Sequence, residues 1–203
     1  MPSVLHIEAS PNGAHSTSSA MARAFLDALD ASHEICTLDV WSEDVPRFGS
    51  DHAAAKFAPL LGEPRTEEQE RAWREVTATI RAFDAADKLV LSCPMWNYGI
   101  PHALKNYIDL IVQPLLTFGV EPKTGRHIGL LRDRPVQLLL TRSSVGEDDP
   151  ADFQLPYLRH ILGFIGLADV RAVVAGATTR PAGEREAYVR AQCQRAREAA
   201  ARF

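Results

Sequence analysis

Residues 88–101 read Lys88-Leu89-Val90-Leu91-Ser92-Cys93-Pro94-Met95-Trp96-Asn97-Tyr98-Gly99-Ile100-Pro101. Within the first six, Leu89-Val90-Leu91 followed by the small Ser92 and Cys93 give the pattern of a strand buried on both faces. Pro94 has no N–H to give to a ladder, so the strand ends there. Pro101 stands where a first helical residue often does, and Leu104, Ile108 and Ile111 continue at helical spacing. A buried strand, a loop and an amphipathic helix in that order are half of a β-α-β unit.

The same alternation runs outward in both directions. Upstream, Val4-Leu5-His6-Ile7 is a short apolar run, followed by a polar loop from Glu8 to His15. Ser16, Thr17 and Ser18 then offer helix caps, with Met21, Phe25 and Leu29 at spacing four. Residues 35–41 alternate like a strand. Residues 42–65 read as an irregular connection with one short helix. Thr66 and Gln69 form a capping box, and Trp73, Val76, Ile80 and Phe83 mark the buried face of the helix it opens. Downstream, residues 117–134 read as a loop or flap containing Gly119, Pro122 and Gly125. Strands are expected over 135–141 and 169–175, with a helix over 154–165 between them. Val189, Cys193, Ala196, Ala200 and Phe203 stripe a final helix.

Five strands, each followed by a helical segment, predict an α/β fold: one parallel sheet with helices on both faces. Of the two common doubly wound orders, five strands favour the flavodoxin-like 2-1-3-4-5 over the six-stranded dinucleotide fold. With no repeat, low-complexity tract or linker, residues 1–203 are expected to form one domain.

Composition narrows the function. The chain has 203 residues, 46% hydrophobic and 24% charged, with 22 basic and 26 acidic side chains for a net charge of -4. That balance argues against a non-specific nucleic-acid binder. The odd, widely spaced Cys36, Cys93 and Cys193 read as reduced, buried thiols. No Cys-x-x-Cys or His-Glu-x-x-His supports a metal site. The first residues do not read as a signal peptide, and no apolar run is long enough to cross a membrane. A cytoplasmic protein is expected by default.

In a 2-1-3-4-5 sheet the ligand binds beyond the carboxyl ends of the strands, at the loops after strands one, three and four. The first loop, residues 8–19, has neither Gly-x-Gly-x-x-Gly nor a P-loop pattern. It does set Ser10, Ser16, Thr17 and Ser18 at a helix start, where free N–H groups can hold a phosphate. Helix capping alone explains the same residues. The second loop carries large aromatic side chains where a plain turn would use small polar ones. Asn97 and Gly99 tolerate left-handed backbone, so this loop can fold tightly along a flat heterocycle. Packing on the core or on a second subunit is the competing explanation. The third loop, Thr141-Arg142-Ser143-Ser144, lies where a further edge of the same ligand would be, or is a solvated turn. His102 reads as a surface histidine at a helix start and Cys93 as a buried, inert thiol. Arg185, Arg190, Arg195, Arg197 and Arg202, among Glu184, Glu186 and Glu198, read as a solvated helix face.

These loops carry a family resemblance. The segment Pro94-Met95-Trp96-Asn97-Tyr98-Gly99-Ile100-Pro101-His102-Ala103-Leu104-Lys105-Asn106-Tyr107-Ile108-Asp109 resembles the FMN-dependent NADH azoreductases, also described as NADH:quinone oxidoreductases. Residues 5–18, Thr117-Phe118, Pro156-Tyr157-Leu158 and Gly163-Phe164-Ile165-Gly166 match in the same order, so the likeness covers nearly the whole chain. The resemblance implies that Ser10, Ser16, Thr17 and Ser18 bind the FMN phosphate and its vicinity. Pro94, Met95, Trp96, Asn97 and Tyr98 would line the isoalloxazine ring, and Thr141, Arg142, Ser143 and Ser144 would approach its pyrimidine edge. It implies two-electron transfer from NAD(P)H through FMN to a quinone or azo acceptor, in a homodimer with the site at the subunit interface. No side-chain nucleophile, acid–base pair or metal is expected. The family's third loop usually reads Ser-Arg-Gly-Gly, and serine permits close backbone approach less readily than glycine. Two other functions fit an FMN site: a flavin reductase that treats FMN as substrate, and a non-catalytic flavodoxin-type electron carrier.

Overall fold

The computed structural model describes residues 1–143, 146 and 149–203. Five parallel strands form the main sheet: β1 (Ser3–Glu8), β2 (Glu34–Asp39), β3 (Lys88–Pro94), β6 (Val136–Thr141) and β7 (Val170–Ala175). Their order is β2-β1-β3-β6-β7, the expected 2-1-3-4-5 arrangement, with every neighbouring pair parallel.

β3 is central because Leu89 to Cys93 are apolar or small on both faces, and all are buried. On one face Leu89, Leu91 and Cys93 join Leu138 and Leu140 of β6. There they meet α3 (Glu67–Asp84), α4 (His102–Ile111) and α5 (Leu155–Phe164) through Val76, Ile80, Phe83, Leu104, Ile108, Leu158 and Leu162. On the other face Val4, Val90 and Leu139 meet Met21, Ala22 and Phe25 of α1 (Thr17–Leu26) and Ala196 and Ala200 of α6 (Ala182–Ala200). Burying this many side chains, each worth roughly 1.5–3 kcal/mol, holds the strand ends in fixed register, which is what a loop-built site requires.

Local signals set the helix starts. The Thr66–Gln69 capping box forms, each side chain bonding the other's backbone N–H at 3.3 and 3.1 Å. The connection over 42–65 holds α2 (Ser50–Phe57) and a further 3-10 turn, Ala58–Leu61. Three expectations need correction. Residues 117–134 contain a small antiparallel ribbon, β4 (Phe118–Val120) with β5 (His127–Gly129), docked beside α5. Cys36 is exposed and Cys193 half-buried, because β2 is an edge strand and α6 an outer helix; only Cys93 is buried. Arg185, read as part of a solvated face, lines a cleft described below.

Candidate functional site

β1 ends with Ala9, whose N–H donates to the Ser92 carbonyl at 2.9 Å, so the first loop leaves the sheet beside β3. It makes one 3-10 turn over Gly13–His15 and reaches Ser16 in extended backbone. Ser16 Oγ caps α1 by accepting the Ser19 N–H at 3.1 Å and lies 3.1 Å from Ser18 Oγ. The hydroxyls of Ser16 and Ser18 therefore face each other. The N–H groups of Thr17 and Ser18 have no acceptor among the described residues. They point out of the first turn of α1, where the helix presents partial positive charge.

β3 is extended by one more bond, from the Met95 N–H to the Thr141 carbonyl at 2.7 Å. The chain then reverses. Trp96 and Gly99 exchange both backbone bonds, at 3.1 and 2.9 Å. Between them Asn97 and Tyr98 take positive φ, 48° and 65°. Positive φ at both central residues is the signature of a type I′ turn, which normally takes Asn-Gly. The expected left-handed pair was Asn97 and Gly99; the turn instead puts the strain on Tyr98, at a cost of about 1 kcal/mol. The central N–H groups, of Asn97 and Tyr98, have no acceptor among the described residues. The Tyr98 carbonyl accepts the Phe153 N–H at 3.1 Å, tying the turn to the segment before α5.

Trp96 and Tyr98 are 37% and 54% exposed, an aromatic lip facing outward. Behind Trp96 stands Trp41, ring centroids 5.4 Å apart, with His102 edge-on to Trp41 at 4.9 Å. Trp41 Nε1 donates to the Ala9 carbonyl at 3.2 Å, so one indole joins the first loop to the second. Cys93 lies beneath, its thiol pushed up to about 12 by burial against a weaker opposing bond from Gln154. It stays protonated and inert.

The third loop behaves differently from a simple ligand edge. Thr141 is buried and Ser143 exposed, and both line the cleft. The Arg142 guanidinium is fully buried and turned away, paired with Asp152 at 2.5 Å and donating to the Gly146 carbonyl at 2.9 Å. The Arg142 backbone N–H donates to the Ala175 carbonyl at 2.9 Å. Ser144 lies outside the described residues.

These loops enclose a cleft of about 380 Å³ lined by Ser10, Asn12, His15, Ser16, Thr17, Pro94, Met95, Thr141 and Ser143. Ser18 and Arg142 are not in its wall, and Trp96 and Asn97 border a neighbouring depression with Phe48, Ile100, His102 and Lys105. The wall opposite the first loop was not expected: Thr178, Thr179 and Arg180 from the connection between β7 and α6, and Arg185 from the start of α6. Its signal was Thr178-Thr179-Arg180-Pro181, a hydroxyl- and cation-bearing loop at a strand's carboxyl end. Among the described residues no group of His, Cys, Asp and Glu could hold a metal.

A cleft across the carboxyl ends of a 2-1-3-4-5 sheet, with a helix N-terminus on one side, is a nucleotide-type site. The family model described as flavodoxin-like fold matches residues 2–200. The chain is thus a member of the flavodoxin-like fold family. Within that fold the azoreductase of Bacillus anthracis str. Sterne superposes with a TM-score of 0.88 at 28% identity over 100% of both chains. The FMN-dependent NADH:quinone oxidoreductase of Nitratidesulfovibrio vulgaris is 41% identical over 185 residues, 88% of each chain. FMN-dependent NADH:quinone oxidoreductase 1 of Bradyrhizobium diazoefficiens is 39% identical over 189 residues, 90% of each. The chain belongs to the FMN-dependent NADH:quinone oxidoreductase family.

Proposed function

We propose that this protein is an FMN-dependent NAD(P)H oxidoreductase that reduces quinones, azo compounds or both by two-electron transfer. The observation that carries the reading is the cleft joining the N-terminus of α1, with its open Thr17 and Ser18 N–H groups, to Pro94, Met95 and Thr141 at the ends of β3 and β6. The residues suit FMN. The Thr17 and Ser18 N–H groups, with the hydroxyls of Ser10 and Thr17, match a phosphate monoester. Ser16 and Ser18 hold each other's hydroxyls, so Ser16 acts by fixing the cap and Ser18 through its backbone. FMN bound there would supply the redox chemistry linking NAD(P)H to the acceptor.

The chain's own part is positioning. Pro94 and Met95 form the floor against one side of a flat ring. The N–H groups of Asn97 and Tyr98 offer donors along its edge, and a rigid type I′ turn keeps them aimed. Thr141 and Ser143 face the opposite edge. Arg142, engaged by Asp152, Gly146 and Ala175, sets the shape of that loop instead of donating to the ring. NAD(P)H and acceptor would approach across the exposed lip of Trp96 and Tyr98. Residues 1–203 would act as one domain. No described helix is long and apolar enough to cross a membrane, in keeping with a cytoplasmic enzyme. A homodimer closes the site: Tyr98 and Phe153, beside it, are 54% and 65% exposed, and Leu115, Val120, Ile128 and Leu130 add exposed apolar surface.

Purified protein should be yellow or take up FMN on titration, and should oxidise NADH or NADPH in stopped flow when a quinone is added. A colourless protein that takes up no FMN overturns the proposal. Turnover only with an added reductase would make the protein an electron carrier.

A further inference from the structure

The first loop has a charge deficit. A phosphate monoester carries close to two negative charges at neutral pH, yet residues 8–19 contain Glu8 and not one Lys or Arg. The donors on that side are neutral hydroxyls, backbone N–H groups and the His15 imidazole. The cations on the cleft come from the other end of the chain. We propose that Arg180 and Arg185 form a cationic clamp on the nucleotide's phosphate, and that they let the site distinguish FMN from riboflavin. The inference rests on the FMN reading above.

Both guanidinium groups are held at the cleft wall by contacts that leave donors over. Arg185 Nη2 donates to the His15 carbonyl at 2.8 Å, closing the mouth between residues 170 positions apart. Arg180 Cζ stands over the Tyr188 ring, 4.3 Å from its centroid, and its Nη1 is 3.8 Å from Glu184. That is a long, half-exposed pair of little strength. Glu186, on the next turn, is engaged by Arg190. The loop itself is fixed to the rest of the site: the Thr178 and Thr179 N–H groups donate to the Arg142 and Ser143 carbonyls at 2.9 and 3.2 Å. A guanidinium braced in this way meets a phosphate with little further ordering, and a charge-assisted bond of that kind is about twice as strong as a neutral one.

The test is titration of flavin-free protein with FMN and with riboflavin, for wild type, Arg180→Gln, Arg185→Gln and Arg185→Lys, following flavin fluorescence. Each glutamine variant should lose about ten-fold in FMN affinity with riboflavin affinity unchanged. Arg185→Lys should recover part of the loss. An unchanged ratio of the two affinities in both glutamine variants overturns the clamp. So does an equal loss of both flavins, which would make Arg185 a brace for the first loop only. Arg180 makes no bond to that loop among the described residues, so its variant separates charge from bracing. Wild-type protein that binds neither flavin overturns the FMN reading itself, and the clamp with it.

Discussion

His6 sits in the middle of β1 with polar neighbours on both sides. Nε2 is 2.9 Å from Ser92 Oγ on β3, and Nδ1 is 3.3 Å from Thr37 Oγ1 on β2. Burial lowers its pKa to about 4, against an opposing pull from Glu8 and with a small further push from Arg23. In the unfolded chain it titrates near the ordinary imidazole value of 6.5. Between those values the unfolded state binds the extra proton. Stability from this residue is therefore complete above pH 6.5 and is lost as pH falls toward 4, by about 3 kcal/mol in all. Urea midpoints measured from pH 7.5 down to 4 should show that slope, and His6→Gln should flatten it. The composition of β1 made it legible as a strand, but not that its one histidine would be neutral, since that follows from its burial between β2 and β3, far away in sequence. Tyr98 was hidden for a similar reason. A left-handed tyrosine contradicts local preference, and the Trp96–Gly99 bonds that enforce it belong to the fold.

The elements divide by how much of their signal is local. β3 and α3 were legible because a short apolar run over Leu89–Leu91 and a capping box each carry their own reason for existing. The β4–β5 ribbon was not, because three-residue strands hold too few side chains to show a period. Its place is fixed from outside. A Cβ on Gly129 would lie 2.2 Å from the Gly166 N and 2.4 Å from its Cα, and Gly166 itself has φ +110°. The Leu131 N–H bonds the Ile165 carbonyl beside this contact at 3.1 Å. Neither backbone can yield locally, so Gly129→Ala should cost about 2 kcal/mol or more. It should also speed hydrogen exchange over 118–129 while leaving the main sheet protected. Equal midpoints for variant and wild type would mean the ribbon is not seated there. The same distinction holds within the site. The aromatic loop was legible because its residue types are wrong for a plain turn, whereas the Thr178–Arg185 wall was masked by a helix that otherwise reads as solvated.

At the scale of the whole molecule, the 2-1-3-4-5 order followed from strand count and alternation, and it placed the site before any side chain was considered. Partner surfaces are less legible, because an exposed apolar residue looks the same in a sequence whether a second subunit covers it or water does. Phe153 and Ile128 are 65% and 43% exposed, on segments that border the cleft and the ribbon. Sedimentation should give twice the 22.3 kDa chain mass. Phe153→Glu should shift that species toward monomer and weaken flavin retention with it. A wild-type monomer at all concentrations would remove the second copy from the site.

The indoles of Trp41 and Trp96 stand 5.4 Å apart with ring planes at 50°, while Trp73 lies elsewhere beneath Arg65. Two identical chromophores that close and that skewed do not absorb independently. Their excited states mix, and a chiral arrangement gives the mixture a paired positive and negative signature in circular dichroism. The strut between the two loops is therefore also an optical element. The molecule reports the shape of its own binding site in light, without any label attached.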